Sequence, residues 1–264
     1  MKVLVVGATG GSGRAAVEAL AARGHDVTAM VRRPESAPVF PAGVRVASGD
    51  ATRSPDVDRC VQGQDAVVVT LGIRENPVRV RLRGSAATPM TVRSEGTMRV
   101  IEAMYRHGVD KLVVQTSYGV GETKERLPLK WRLIFALLLK PQIADTEVQQ
   151  TRVCGSRLRW VVAQPVALTD ADEAPPPEAS VDGRVRGMAV SRRSVARFLA
   201  DAVERDAFDL GHGEQKAQLP RVLGVSHGPV GAAKAVVFSE GGGESQSAAR
   251  EIFPEVSTLP LGKT

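Results

Sequence analysis

Short unbroken apolar runs alternate with longer stretches of helical period along most of the chain. Val3 to Val6 run directly into a cluster of glycines, and a helical pattern follows from Arg14 to Ala22. A continuous run this short reads as a strand buried on both faces, as in a parallel sheet. Gly24 closes the first helix, and Val27 to Val31 form the second run. Val44 to Ala47, Ala66 to Thr70, Lys111 to Gln115 and Leu158 to Ala163 supply the third to sixth strands. Between them the pattern predicts a short helix capped by Ser54 and reaching Val61, then a long one from Thr91 to His107 closed by Gly108. Another runs from Ile143 to Val153 and ends at Gly155. Such alternation predicts an α/β fold with a doubly wound parallel sheet.

Three stretches depart from this rhythm. Arg74 to Arg83 is basic, and in an extended chain Arg79, Arg81 and Arg83 would share one side and favour an anionic ligand at the mouth of a site; a solvated loop fits the same residues. Pro128 to Lys140 reads as a helix closed by Pro141, with Trp131, Ile134, Phe135, Leu137, Leu138 and Leu139 apolar nearly all round. Such a helix packs in a core, covers a ligand or meets a partner chain. Beyond Leu210 the pattern weakens. Ala174 to Pro177 reads as a stiff connector, Val181 to Val190 as a last strand or hairpin, and Ser191 to Val203 as a helix. Ala235 to Phe238 is expected to close the sheet at its edge, with Gly241 to Ser247 a flexible link. The division predicted is one domain over residues 1–210 that includes the substrate pocket, and a partly flexible extension over 211–264.

Composition narrows the partners. The formal net charge of +6 could attract anions, but no aromatic residues interleave with the arginines as a nucleic-acid stacking platform requires. No apolar run has the length of a membrane span, so neither nucleic acid nor a membrane is expected as a partner. The two cysteines, Cys60 and Cys154, have no metal-ligand spacing, so no metal is expected. With no leader pattern before the first strand, a reducing, cytoplasmic setting is the expectation.

The chemistry starts at Gly7-Ala8-Thr9-Gly10-Gly11-Ser12-Gly13. Gly7 permits the exit from the strand, Gly10 and Gly11 let a phosphate approach the backbone, and Gly13 lets the helix pack close. Helix-start N–H groups then face a pyrophosphate, the arrangement of a Rossmann dinucleotide site. The second strand ends at Arg32-Arg33, where an NAD enzyme would carry an acid for the ribose 2′-hydroxyl. Guanidinium groups there fit a 2′-phosphate, which points to NADP(H). Asp50, after the third strand, either accepts from the adenine amino group or caps a turn. Leu71 and Gly72 end the fourth strand at the ligand-binding edge.

The stretches GATGGSGR, SGDAT, SEGTMRVIEAMYRHGVDKLVVQTS, IADTEVQQ, RLRWVVAQPVALTD and SRRSVARFLADAVE resemble the atypical short-chain dehydrogenase/reductases. The resemblance is to the NmrA-like and biliverdin-IXβ (flavin) reductase-like group. It implies that Gly7, Thr9, Gly10, Gly11, Ser12 and Gly13 hold the pyrophosphate and that Arg32 and Arg33 hold the 2′-phosphate. It also implies that Asp50 and Ala51 flank the adenine and that Leu71 and Gly72 border the ribose. Ser117, Gln164, Pro165 and Val166 are then expected near the nicotinamide. One departure matters. The superfamily's Tyr-x-x-x-Lys pair is absent: Tyr105 and Tyr118 lack a lysine four residues on, and the lysine position is Thr146, between Asp145 and Glu147. Ser117 and Tyr118 remain as candidate catalytic hydroxyls. An acceptor that delocalises its own charge makes a built-in acid dispensable. The expectation is an NADPH-dependent reductase of a large, planar, conjugated small molecule: an aromatic polyketide ketone, a quinone or a flavin. A non-catalytic NADP-binding redox sensor would show the same losses, whereas a sugar-nucleotide epimerase would need the missing pair.

Overall fold

The computed structural model describes residues 1–73, 75, 77–86, 88–171, 178–180, 183–205 and 233–239. The six expected strands form: β1 Lys2–Val6, β2 Asp26–Val31, β3 Arg45–Ser48, β4 Ala66–Val69, β5 Lys111–Gln115 and β6 Arg159–Pro165. They pair in parallel in the order β3-β2-β1-β4-β5-β6, so the strand order reverses between β1 and β4. That reversal opens the crevice in which ligands sit at the carboxyl edge of a doubly wound sheet.

Alternation along the strands makes two cores. Val3 and Val5 face one side with Val17 and Leu20 of α1 (Gly11–Ala22) and with Val195, Leu199 and Val203 of α7 (Arg192–Glu204). Leu4 and Val6 face the other, with Val57 of α2 (Ser54–Val61), Val100 and Met104 of α4 (Val92–His107) and Val153 of α6 (Lys140–Cys154). This is the helix–sheet–helix layering that buries both faces of a parallel sheet.

Several boundaries differ from the pattern. Arg53 is the cap position of α2, and Ser54 is already its first residue, because Pro55 suits a first helical turn. The basic segment is not extended: it forms α3 (Pro77–Arg83), so strand alternation does not align its arginines. Pro141 does not end a helix. Leu129–Ile134 form α5, Phe135–Leu139 widen into a π-helical turn, and α6 starts immediately afterwards with Pro141 in its first turn. Proline lacks only an N–H that a first turn leaves unpaired anyway. The π turn absorbs the change in phase.

The last strands also rearrange. β7 (Ala167–Thr169) and β9 (Ala189–Ser191) pair in parallel as a small separate sheet, so the 181–190 stretch supplies one short strand of that ribbon. β10 (Ala233–Ser239) lies inside the main sheet, not at its edge, between β6 and the antiparallel β8 (Glu178–Ser180). The connector at 174–177 and the link at 241–247 lie outside the described residues. We propose, as the sequence suggests, that residues 1–210 form the domain holding cofactor and substrate, to which the segment beyond contributes β10.

Leu199→Ala, at a fully buried position, is expected to cost about 2–5 kcal/mol in urea unfolding. Leu133→Ala, at a site 58% exposed on α5, should stay within about 0.5 kcal/mol of the parent.

Candidate active site

The glycine turn is built by close contact. Gly7 has φ +93°, and a Cβ there would lie 2.8 Å from the Thr70 carbonyl oxygen on the adjacent strand end. A Cβ on Gly13 would sit 2.1 Å from the Gly7 carbonyl oxygen, so no other residue lets α1 come this near to β1. The Gly10 amide donates to the Gly7 carbonyl at 3.0 Å and closes the turn. Gly10 then caps α1 without offering a side chain, which leaves first-turn N–H groups for a ligand. This cradle fits a pyrophosphate. The Gln115 amide at the end of β5 donates to Ser12 Oγ at 3.2 Å and ties the loop to the next strand.

Around this loop the predicted residues converge on the carboxyl edge. Arg32 and Arg33 follow β2 directly, both exposed; Arg32 donates to Thr88 Oγ1 at 3.1 Å. Asp50 holds a turn: its Oδ1 accepts from the Thr52 amide at 2.8 Å and from Thr52 Oγ1 at 2.7 Å. Ala51 is buried, and a Cβ on Gly96 would meet it at 3.3 Å and Leu71 at 2.5 Å. Gly96 therefore lets α4 approach the ends of β3 and β4, a role the sequence pattern did not single out.

Beyond β5 and β6 lies a cavity of about 260 Å³. Thr116, Ser117 and Tyr118 form its base, Leu127, Trp131, Phe135 and Leu139 one wall, and Pro165 to Leu168 with Met188 and Arg192 the other. A larger cavity, of about 520 Å³, runs along β3 from Arg45 to Ser48, between Lys2, Thr28 and the residues Arg59, Cys60 and Gln62 to Gln64; no residue of the glycine loop lines it.

The two candidate hydroxyls differ in setting. Ser117 is half-buried, and its Oγ donates to the Tyr118 carbonyl at 3.1 Å. Tyr118 is 2% exposed, with its hydroxyl 3.3 Å from the carbonyl oxygens of Arg126 and Gly183. Burial pushes this phenol above its ordinary range, although the Arg126 charge pulls the other way. Thr146, at the superfamily's lysine position, is buried and donates to the Gln142 carbonyl within its own helix at 2.8 Å. Gln164 turns its amide toward Val120 O at 3.0 Å and Gln150 Oε1 at 2.8 Å, while Pro165 and Val166 line the cavity.

Two arginines escaped the sequence reading. Arg192, the first residue of α7, lies over the glycine loop: a Cβ on Gly11 would meet its side chain at 2.8 Å. Its Nη1 pairs with Asp170 at 2.7 Å, and it also lines the cavity. A cation at a helix N-terminus opposes the dipole, and that was the available signal. Arg93, at the start of α4, places a guanidinium nitrogen where a Cβ on Gly72 would meet it at 3.4 Å. Its Nη1 is buried without a hydrogen-bond partner, burial depresses its pKa, and the Asp145 charge opposes that shift. Asp145 itself accepts from the Arg93 and Ser94 amides at 3.0 and 3.2 Å and so caps α4.

Residues 7–206 match the family model described as NAD(P)H-binding. The chain belongs to this NAD(P)H-binding family. NAD(P)H is its cofactor, and oxidoreductase chemistry is the class that cofactor serves. An uncharacterised chloroplastic protein of Arabidopsis thaliana is 27% identical over 83% of this chain and 79% of its own length. A 3-diazoavenalumate denitrifying reductase of a Streptomyces species is 34% identical over 44% of this chain, and the match spans only 38% of that enzyme. Among solved structures, an anaerobilin reductase of Escherichia coli O157:H7 superposes with a TM-score of 0.62 at 18% identity, over 90% of this chain and 96% of its own. A short-chain dehydrogenase/reductase of Veillonella parvula in complex with NADP gives 0.57 at 14% identity, over 77% and 87%. At these identities the two structures share the fold.

Gly13→Val is expected to abolish NADPH binding in fluorescence titration, because α1 must withdraw from β1. Arg32→Glu should weaken NADPH by at least about tenfold while leaving NADH within about threefold, the signature of a lost charged contact to a 2′-phosphate.

Proposed function

We propose that this protein is an NADPH-dependent reductase of a planar, conjugated small molecule, an aromatic ketone, a quinone or a flavin, and that the acceptor stabilises its own developing charge. The observation that carries this is the composition of the cavity beside the glycine loop. Its walls are the side chains of Leu127, Trp131, Phe135, Leu139, Val166 and Met188, and its base offers the Ser117 hydroxyl. At about 260 Å³ it is smaller than the roughly 300 Å³ and more that enclose a whole drug-sized ligand. It suits the reacting end of a flat molecule whose remainder projects outward.

The chemistry that NADPH supplies when bound is hydride donation. The chain's own residues hold and shape. Gly7, Thr9, Gly10, Gly11, Ser12 and Gly13 would hold the pyrophosphate, Arg32 and Arg33 the 2′-phosphate, and Asp50, Ala51, Leu71 and Gly72 the adenosine side. Ser117, Gln164, Pro165 and Val166 would border the nicotinamide. Arg192, pivoting from Asp170, would add a cation over the phosphates. Ser117 orients the acceptor oxygen by giving up its bond to the Tyr118 carbonyl. Tyr118 is a poor acid here: its proton already faces two carbonyls, and burial stabilises the neutral phenol. The reductase named above among the relatives accords with this class, and so does the loss of a lysine at Thr146. The setting we propose is cytoplasmic.

Purified protein is expected to oxidise NADPH in the presence of at least one member of a panel of quinones, flavins and hydroxyaryl ketones. Binding of NADPH with no turnover across that panel would instead indicate the redox-sensor reading. Ser117→Ala should lower kcat by less than about a hundredfold, below the loss that follows removal of a strong catalytic group. Tyr118→Phe should leave kcat within about fivefold. Because the phenol's pKa is raised from about 10, it stays protonated below that pH, so kcat/KM should show no tyrosine limb between about pH 6 and 9.

A further inference from the structure

The wall of the cavity has an outer side that the reaction does not use. Trp131 of α5 is buried and Ile134 and Phe135 are partly so, all packing toward the core beside Tyr118 and Leu127. Four residues apart on the opposite side stand Leu129, Leu133 and Leu137, respectively 80%, 58% and 58% exposed. Positions four apart share one face of a helix, so these leucines form a stripe. α3 packs against the π-helical turn and adds Leu82, 78% exposed. Single exposed leucines need no explanation, whereas four on three adjoining elements, α5, the π turn and α3, make a patch of the kind that marks an interaction site.

Charge selects the occupant. Between Arg126 and Lys140 stand Arg126, Lys130, Arg132 and Lys140, all exposed, with no acidic residue among them. On α3, Arg79 and Arg83 are exposed too, and the sequence of residues 77–83 contains no acid. Leucine interleaved with lysine and arginine along a surface helix is the chemistry of a bilayer interface: apolar side chains enter the acyl boundary while cations meet anionic headgroups. A second copy of the chain docking face to face would bring this cationic surface against itself, which disfavours a symmetric dimer here. No helix among the described residues is long and apolar enough to cross a membrane.

We infer that the outer face of α5, the π turn and α3 is a peripheral docking surface for anionic lipid bilayers. Lying in the interface, the same helix would keep Trp131, Phe135 and Leu139 on the cavity and Leu129 and Leu133 in the lipid. A conjugated acceptor dissolved in the bilayer would then be one helix thickness from the cavity. That last consequence rests on the reductase reading; the docking does not.

Co-sedimentation of the full chain with vesicles tests it. Vesicles of phosphatidylcholine with about 30% phosphatidylglycerol should carry the protein down at low salt, and phosphatidylcholine alone should bind at least about tenfold more weakly. Leu129→Ser/Leu133→Ser should weaken binding to the anionic vesicles about tenfold or more, with thermal unfolding and NADPH affinity unchanged. Lys130→Glu/Arg132→Glu should do the same. Arg53→Glu, an exposed change on α2's cap, controls for net charge and should have at most a small effect. The proposal is overturned by no sedimentation of the parent protein with anionic vesicles, by equal losses from Arg53→Glu and Arg132→Glu, or by binding indifferent to the two leucines. A dimer in ultracentrifugation that Leu129→Ser/Leu133→Ser dissociates, without vesicle binding, would assign the face to self-association and overturn it as well. Loss of NADPH turnover with vesicle binding intact would strike the reductase reading alone.

Discussion

The contact between α1 and the end of β1 is the constraint on which the remainder is built. With a would-be Cβ of Gly13 only 2.1 Å from the Gly7 carbonyl oxygen, the helix approaches the strand as closely as backbone permits. That approach aims the first-turn amides at the carboxyl edge of the sheet, at the point where the strand order reverses. Everything in the site is measured from there. Ser12 is tied to β5 through Gln115, Gly11 lies beneath Arg192, and Gly7 nests against Thr70 at the end of β4. A change that pushed α1 outward would disturb three strand ends at once.

Behind the cavity lies a buried polar layer that sets the geometry of the β5 and β6 ends. Gln164 binds Val120 and Gln150, Gln150 reaches Glu122, and Thr116 Oγ1 stands 3.4 Å from Gln150 Oε1. Buried amides cost free energy unless paired, so such a network favours one arrangement of the loop that follows β5. The loop in turn carries Ser117 to the base of the cavity and buries Tyr118 behind it. On the reductase reading we propose, the chemistry left to this site is orientation and exclusion of water.

The helix over the cavity serves two sides at once. Its inner side completes an apolar wall, and its outer side is leucine and cation. A π turn then joins α5 to α6 without ending the helix. Pro141 then needs no partner for the N–H it lacks.

Residue pattern alone determined the parallel sheet, the place of its first six strands along the chain and the glycine turn; the order in which those strands lie side by side came from the structure. The reason is that buried strands, glycine turns and amphipathic helices are local signals with a fixed physical cause. The arginine pair after β2 was legible for the same reason: its distance from the glycines is set by one helix and one strand. Tertiary structure decided what depends on residues far apart in the chain. It placed β10 inside the sheet, brought Arg192 from residue 192 onto Gly11, and left Arg93 beside Gly72. It also resolved the apolar helix, whose composition looked uniform, into a buried side and an exposed one. Periodicity cannot see which neighbour covers a side chain, and here α3 packs on the π turn while Trp131 joins the core with Tyr118 and Leu127.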